Sequence, residues 1–190
     1  MKREVDAVRF HLNITLTEED YLTFNIFHAM ETTAGKKTIR NSRILLISVM
    51  AVSIVLLVLI LGWTMLSGIC VTLLGLLAVL YTIFGKKIIK HNIKEQISRL
   101  KKTGTLPFDT VAELAFYDDK IVEITANKRT ELSYDALERI CVVGNRYLYL
   151  YNSSVTAYII PIPQLAGQLD EGAFWNFISQ KCKSVELHSS

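Results

Sequence analysis

Apolar and polar positions along this chain follow two periods, with a long stretch between them that shows no polar period at all. From Val8 to Leu16, "VRFHLNITL" places Val8, Phe10, Leu12, Ile14 and Leu16 on one face and Arg9, His11, Asn13 and Thr15 on the other. That period of two predicts a half-buried strand. Thr17 follows as a helix N-cap, with Glu18, Glu19 and Asp20 in the first turn, where negative charge suits the helix dipole. Leu16 and Tyr21 can staple across that cap. The helix is expected to run through "YLTFNIFHAMETTAGKK", with Thr32, Thr33 and Gly35 as points of interruption.

Polar punctuation then stops. Ile44 to Gly85, 42 residues, contains no Asp, Glu, Lys, Arg or His. One helix of that length would measure roughly 63 Å against a hydrocarbon layer of about 30 Å. Two crossings fit: residues 44–61 and 66–84, reversing over 62–68 at Gly62, Trp63 and Gly68. Fourteen of the eighteen residues from Ile44 to Leu61 are Leu, Ile or Val, favouring insertion by about 4 to 8 kcal/mol. A helix of a soluble protein would keep a polar face, and these spans have none. No signal-peptide pattern occurs in the first 43 residues, so the first span is expected to act as the targeting element.

Helical spacing resumes after the second span, with Ile89, Ile93, Ile97 and Leu100 on one side and lysines on the others. This basic amphipathic extension, residues 86–104, is expected to end at Gly104 and Pro107. Residues 105–182 break into short strands. "LPFDTVAELAFYDDKIVEIT" supplies two around Asp118 and Asp119, "RTELSY" a third, and "RICVV", "YLYLYN" and "TAYIIP" three more. In "YLYLYN" Tyr147, Tyr149 and Tyr151 face one way and Leu148 and Leu150 the other, which predicts one face in a core. "DEGAFWNFISQKC" reads as a helix with Phe174, Phe177 and Ile178 inward, and residues 183–190 as a flexible tail.

The expected fold is therefore an α+β membrane protein. A two-helix transmembrane hairpin is joined to a pleckstrin-homology-like (PH-like) antiparallel β-barrel or sandwich, capped by the C-terminal helix. If residues 1–43 lie on the same side as that domain, the Val8–Leu16 strand can join its sheet, and the hairpin is then an insertion.

Charge sharpens the topology. Lys36, Lys37, Arg40 and Arg43 precede the first span, and Lys86, Lys87, Lys90 and Lys94 lead the seven basic residues that follow the second, against Glu95 alone. The flanks thus carry +10 of a whole-chain charge of +3, which leaves −7 elsewhere. The turn between the spans is uncharged, so the positive-inside rule predicts both termini in the cytoplasm. Basic residues gathered at a membrane surface exclude nucleic acid as the natural partner. They are expected to meet membrane lipids instead.

Chemistry is sparse. Cys70, Cys141 and Cys182 are odd in number and far apart, with no disulfide framework or metal spacing. His11, His28, His91 and His188 stand at no ligand spacing from a cysteine or acid. No phosphate loop, dinucleotide-binding glycine pattern or nucleophile elbow occurs. Asp118 and Asp119 read as a hairpin turn rather than an acid/base pair. No catalytic residue, cofactor or metal site is expected. The spans lack ionisable residues, which argues against transport by a single copy. Gly68, Thr72 and Gly75 share one helix face, a packing stripe for the first span or for a second copy.

The order of elements resembles the YcxB-like family of bacterial membrane proteins. The resemblance rests on "LTEEDY" after a strand, a basic-flanked hairpin, "ELSYDALERI" at 131–140, then "YLYLYN", "AYIIPIPQL" and "EGAFWNFI". Tyr134 stands where many relatives carry Trp. The resemblance implies a bacterial inner-membrane location and a PH-like C-terminal part, and little about function. Three expectations remain. The first is a non-catalytic module whose cytoplasmic domain binds a protein or peptide; the second, a small oligomeric pore or transport-accessory subunit; the third, an anionic-lipid-binding module, for which Lys128, Arg129, Arg139 and Arg146 are the basic candidates.

Overall fold

The computed structural model describes residues 7–104, 106 and 108–189; the helix stop expected at Pro107 lies outside them. The chain divides into two compact units, one drawn from Met1–Phe24 and Gly104–Ser190, the other Asn25–Thr103.

In the first unit the alternating N-terminal segment is strand β1 (Phe10–Thr15), followed by helix α1 (Glu18–Glu31), whose later residues belong to the second unit. Thr17 and Asp20 cap α1 reciprocally: the Thr17 backbone N–H donates to the Asp20 carboxylate at 2.8 Å and the Asp20 N–H to Thr17 Oγ1 at 3.2 Å. β1 pairs antiparallel with β2 (Val111–Phe116), which pairs with β3 (Lys120–Ile124), and that with β4 (Arg129–Ser133). A hairpin inserted into one β-domain is what this pairing describes.

The second sheet runs in the order β7-β6-β5-β8, with β5 (Arg139–Val143), β6 (Tyr147–Tyr151), β7 (Ala157–Pro161) and β8 (Val185–His188). β8 lies in the stretch read from sequence as a frayed tail. It pairs in parallel with β5, so the strands are not all antiparallel.

Of the expected barrel or sandwich, the closed barrel is not formed: the strands make two open four-stranded sheets. Two features keep them open. Between β4 and β5 the chain turns through a 3-10 segment, Tyr134–Ala136, instead of continuing one ladder. At the other end, the outward backbone groups of Asn13 and Thr15 in β1 are occupied by side chains. Gln168 accepts from Asn13 N–H at 2.8 Å and donates to its carbonyl at 2.9 Å; Gln164 does the same for Thr15 at 2.9 and 2.7 Å. Each carboxamide mimics a strand partner, which satisfies the edge and blocks further pairing.

Both sheets feed one core. Leu12, Ile14, Leu114 and Phe116 meet Ile140, Leu148, Leu150 and Ile160, and helix α4 (Glu171–Gln180) adds Phe174 and Ile178. Asp170 caps α4 by accepting from the Gly172 and Ala173 N–H groups. Tyr134 is buried in this core, its hydroxyl donating to the Tyr117 carbonyl at 2.9 Å.

The second unit is the hairpin. Helix α2 (Thr33–Leu61) and helix α3 (Met65–Lys102) are joined at Gly62, whose φ of 65° few other residues adopt. The reversal is tighter than the expected 62–68. Thr64 and Ser67 form a capping box, and Ser67 Oγ donates to the Gly62 carbonyl at 2.9 Å, so α3 starts early and Gly68 lies inside it. Gly104, at φ 72°, follows the end of α3 as a left-handed cap residue.

Candidate functional site

Among the described residues two helices are long and apolar enough to cross a membrane, and their apolar windows are 0% and 6% buried. A core helix of a soluble protein would be covered. Leu59, Ile60, Leu76 and Ile83 instead stand exposed, a surface that water disfavours and lipid accepts.

The basic residues flank these windows. Lys36, Lys37, Arg40 and Arg43 occupy the first turns of α2, and Lys86, Lys87, Lys90 and Lys94 lie in α3 beyond its apolar part. Arg43 is held differently from the rest. Its guanidinium lies so close to Gly85 that a Cβ there would come within 3.1 Å of Nη2. A small residue at 85 thus lets the cation lie across the neighbouring helix.

The stripe of Gly68, Thr72 and Gly75 is open in the hairpin. A Cβ added at either glycine meets nothing within 4 Å, so neither packs against α2. Gly68 and Thr72 line a shallow groove with Met65, Ile69 and Leu73.

Sheet positions converge in the folded unit. β6 is buried on both faces rather than one, because α1 covers its tyrosines. Phe24 meets Tyr149 edge-on at 5.1 Å and Tyr151 at 6.0 Å, and Tyr147 donates to Asp20 at 2.8 Å. On the same face Arg139 lies over the Tyr151 ring at 4.2 Å, a cation–π contact. Beside it, β5 and β8 bring together Cys141, Glu186 and His188. Cys141 Sγ is 3.4 Å from Glu186 Oε2, and His188 Nε2 is 3.3 Å from the same oxygen. Spacing along the chain hid this cluster, because 45 residues separate the cysteine from the acid.

Residues 116–168 match the family model of the YcxB-like protein. The chain therefore carries a YcxB-like domain over part of its length, joined to a membrane-associated hairpin. No curated protein and no solved structure matches the chain. The YcxB-like segment holds β3 to β7 and both edge-covering glutamines, whereas β1, α4 and β8 lie outside it. Gln164 and Gln168 are thus two of the points where the YcxB-like segment grips the N-terminal strand.

Titration of the tyrosine face gives a stability prediction. Burial pushes the Tyr151 phenol from 10.0 up to about 12, and burial, then Glu186, push the Cys141 thiol from 9.0 up to about 12. Tyr149 is raised as well, by burial first. Folding therefore favours the neutral forms. Their contribution is whole below the unfolded values and is lost as pH climbs through about 9 to about 12. Thermal unfolding in detergent should be level to about pH 9 and fall steeply above it, with Tyr151→Phe removing part of the fall. A level profile to pH 11 would mean that water reaches these groups.

Proposed function

We propose that this is a non-catalytic, two-pass protein of the bacterial inner membrane, with both termini in the cytoplasm, whose folded α+β unit binds a protein or peptide partner. The observation that carries the reading is the distribution of charge about the exposed apolar helices. Basic residues stand at the start of α2 and in the later part of α3, while the Gly62–Thr64 turn has none. A protein partner is favoured over a lipid headgroup because three of the four basic candidates of the folded unit are already engaged. Lys128 lies 3.4 Å from Glu123, Arg129 lies 3.4 Å from Glu131, and Arg139 covers Tyr151.

The test labels two exposed positions, Trp63 and Val155, after replacing each with cysteine. An impermeant maleimide should modify Trp63→Cys in intact spheroplasts and Val155→Cys only after permeabilisation. The opposite pattern overturns the topology. A photocrosslinker at Val155 should then give a protein adduct in cells; a lipid adduct alone would favour the anionic-lipid-binding reading.

A second reading, a small oligomeric pore or transport-accessory subunit, is favoured by the open stripe of Gly68, Thr72 and Gly75. Gly75→Leu would lower the oligomeric state in detergent and abolish ion leak from liposomes if hairpins assemble through that face.

A further inference from the structure

We propose that Cys141, Glu186 and His188 form a binding site for a thiophilic divalent cation of the zinc class, which fastens the C-terminal strand β8 to the sheet. The placement follows from the register. In the parallel β5–β8 ladder Cys141 lies opposite Glu186 and Val143 opposite His188. Residues two apart on a strand share a face, so Glu186 and His188 both project on the Cys141 side.

Distances suit coordination. The three donor atoms lie within 4.8 Å of one another, and two of the three separations are 3.4 and 3.3 Å. In a tetrahedral zinc centre, bonds of about 2.3 Å to sulfur and about 2.0 to 2.2 Å to nitrogen and oxygen separate the ligands by roughly 3.3 to 3.6 Å. Two of the three edges between these ligands are therefore in place, and the Cys141–His188 edge is no longer than 4.8 Å. The donor set selects the metal. Thiolate and imidazole exclude magnesium and calcium, which take oxygen ligands. The side chains of His188 and Glu186 are 30% and 43% exposed, so solvent reaches the site and water can take the fourth position.

The strand's own pattern supplies an independent argument. Along β8 the apolar Val185 and Leu187 face solvent, Leu187 with 76% of its surface exposed, while Glu186 and His188 are the more buried pair. An edge strand held by hydrophobic burial would have the opposite orientation. A polar pair turned inward against a fully buried cysteine makes sense when it has something to bind. Binding replaces the Cys141 S–H bond with a sulfur–metal bond and releases one proton to solvent. Arg139, on the same face, faces a thiolate and a carboxylate whose charge the cation balances.

Chelator-treated full-length protein in detergent, titrated with Co²⁺ and then with Zn²⁺, tests the site. One equivalent of Co²⁺ should produce a thiolate-to-cobalt charge-transfer band and the visible bands of a tetrahedral ion, both removed by Zn²⁺. Cys141→Ser should abolish the charge-transfer band and Cys182→Ser should keep it. His188→Ala, on the edge strand where folding is least at stake, should weaken binding at least tenfold. Absence of the band in the native protein, its survival in Cys141→Ser, or unchanged affinity in His188→Ala would each overturn the proposal and leave the trio as a hydrogen-bonded group alone.

Discussion

Residues 104–190, expressed without the rest of the chain, are expected to give an unfolded or aggregated product. β1 contributes Leu12 and Ile14, which are 0% and 2% exposed in the core, and a six-residue ladder along β2. α1 contributes Phe24, which covers Tyr149 and Tyr151. Loss of each buried aliphatic costs about 2 to 5 kcal/mol and loss of a buried aromatic about 3 to 5 kcal/mol. Together they rival the roughly 5 to 15 kcal/mol that holds a domain folded. Their removal also bares the edge of β2 and frees Gln164 and Gln168, a combination that invites strand pairing between copies. Circular dichroism and size-exclusion chromatography of the fragment, alone and with residues 1–31 fused through a flexible linker, would measure this. Recovery of a soluble monomer on fusion is the expected result. A fragment that folds unaided would show that β1 is dispensable.

How far the sequence disclosed this arrangement depended on the range of the signal. The six strands read between Leu106 and Pro161 were legible because each carries its own period and its own turn, and they occur as β2 to β7. The uncharged stretch from Ile44 to Gly85 was legible for the same local reason. What period cannot disclose is which edges meet. A closed barrel follows if every edge finds a strand, yet β1 finds two glutamine side chains that are 149 and 155 residues away. The β8 segment "VELH" was too short and too mixed to announce a strand, and its parallel pairing with β5 depends on α4 carrying the chain back across the sheet. The same shortness conceals the Cys141, Glu186 and His188 cluster, since two of its members lie on that strand. Tyr147, Tyr149 and Tyr151 show a related limit. Alternation identified one inward face correctly, but a second buried face requires a covering helix that comes from far upstream.

Gly35→Ala should be the most damaging single methyl group that can be added to the hairpin unit. A Cβ at this position would collide with the His28 carbonyl oxygen and stand 2.6 Å from that of Ala29. Both are backbone atoms, so no side chain can swing aside. The first turn of α2 crosses the last turn of α1 at this point, and Thr32 holds the crossing. Its hydroxyl donates to the His28 carbonyl at 2.6 Å and accepts from Gly35 N–H at 3.0 Å. Moving the backbone to admit a methyl group breaks both bonds. Loss of the cap costs about 1 kcal/mol and the steric misfit about 1 to 3 kcal/mol more, so the expected loss is about 3 kcal/mol. Gly68→Ala and Gly75→Ala provide the contrast, because nothing lies within 4 Å of either added atom. An exposed helical glycine gains about 1 kcal/mol on becoming alanine, so both should be neutral or stabilising. Thermal unfolding of the three variants in the same detergent, with limited proteolysis around Thr32, would separate the cases. Equal effects at all three positions would mean that the junction between α1 and α2 is looser than the Thr32 bonds require, and that the bend is set by the surrounding lipid instead of by a missing side chain.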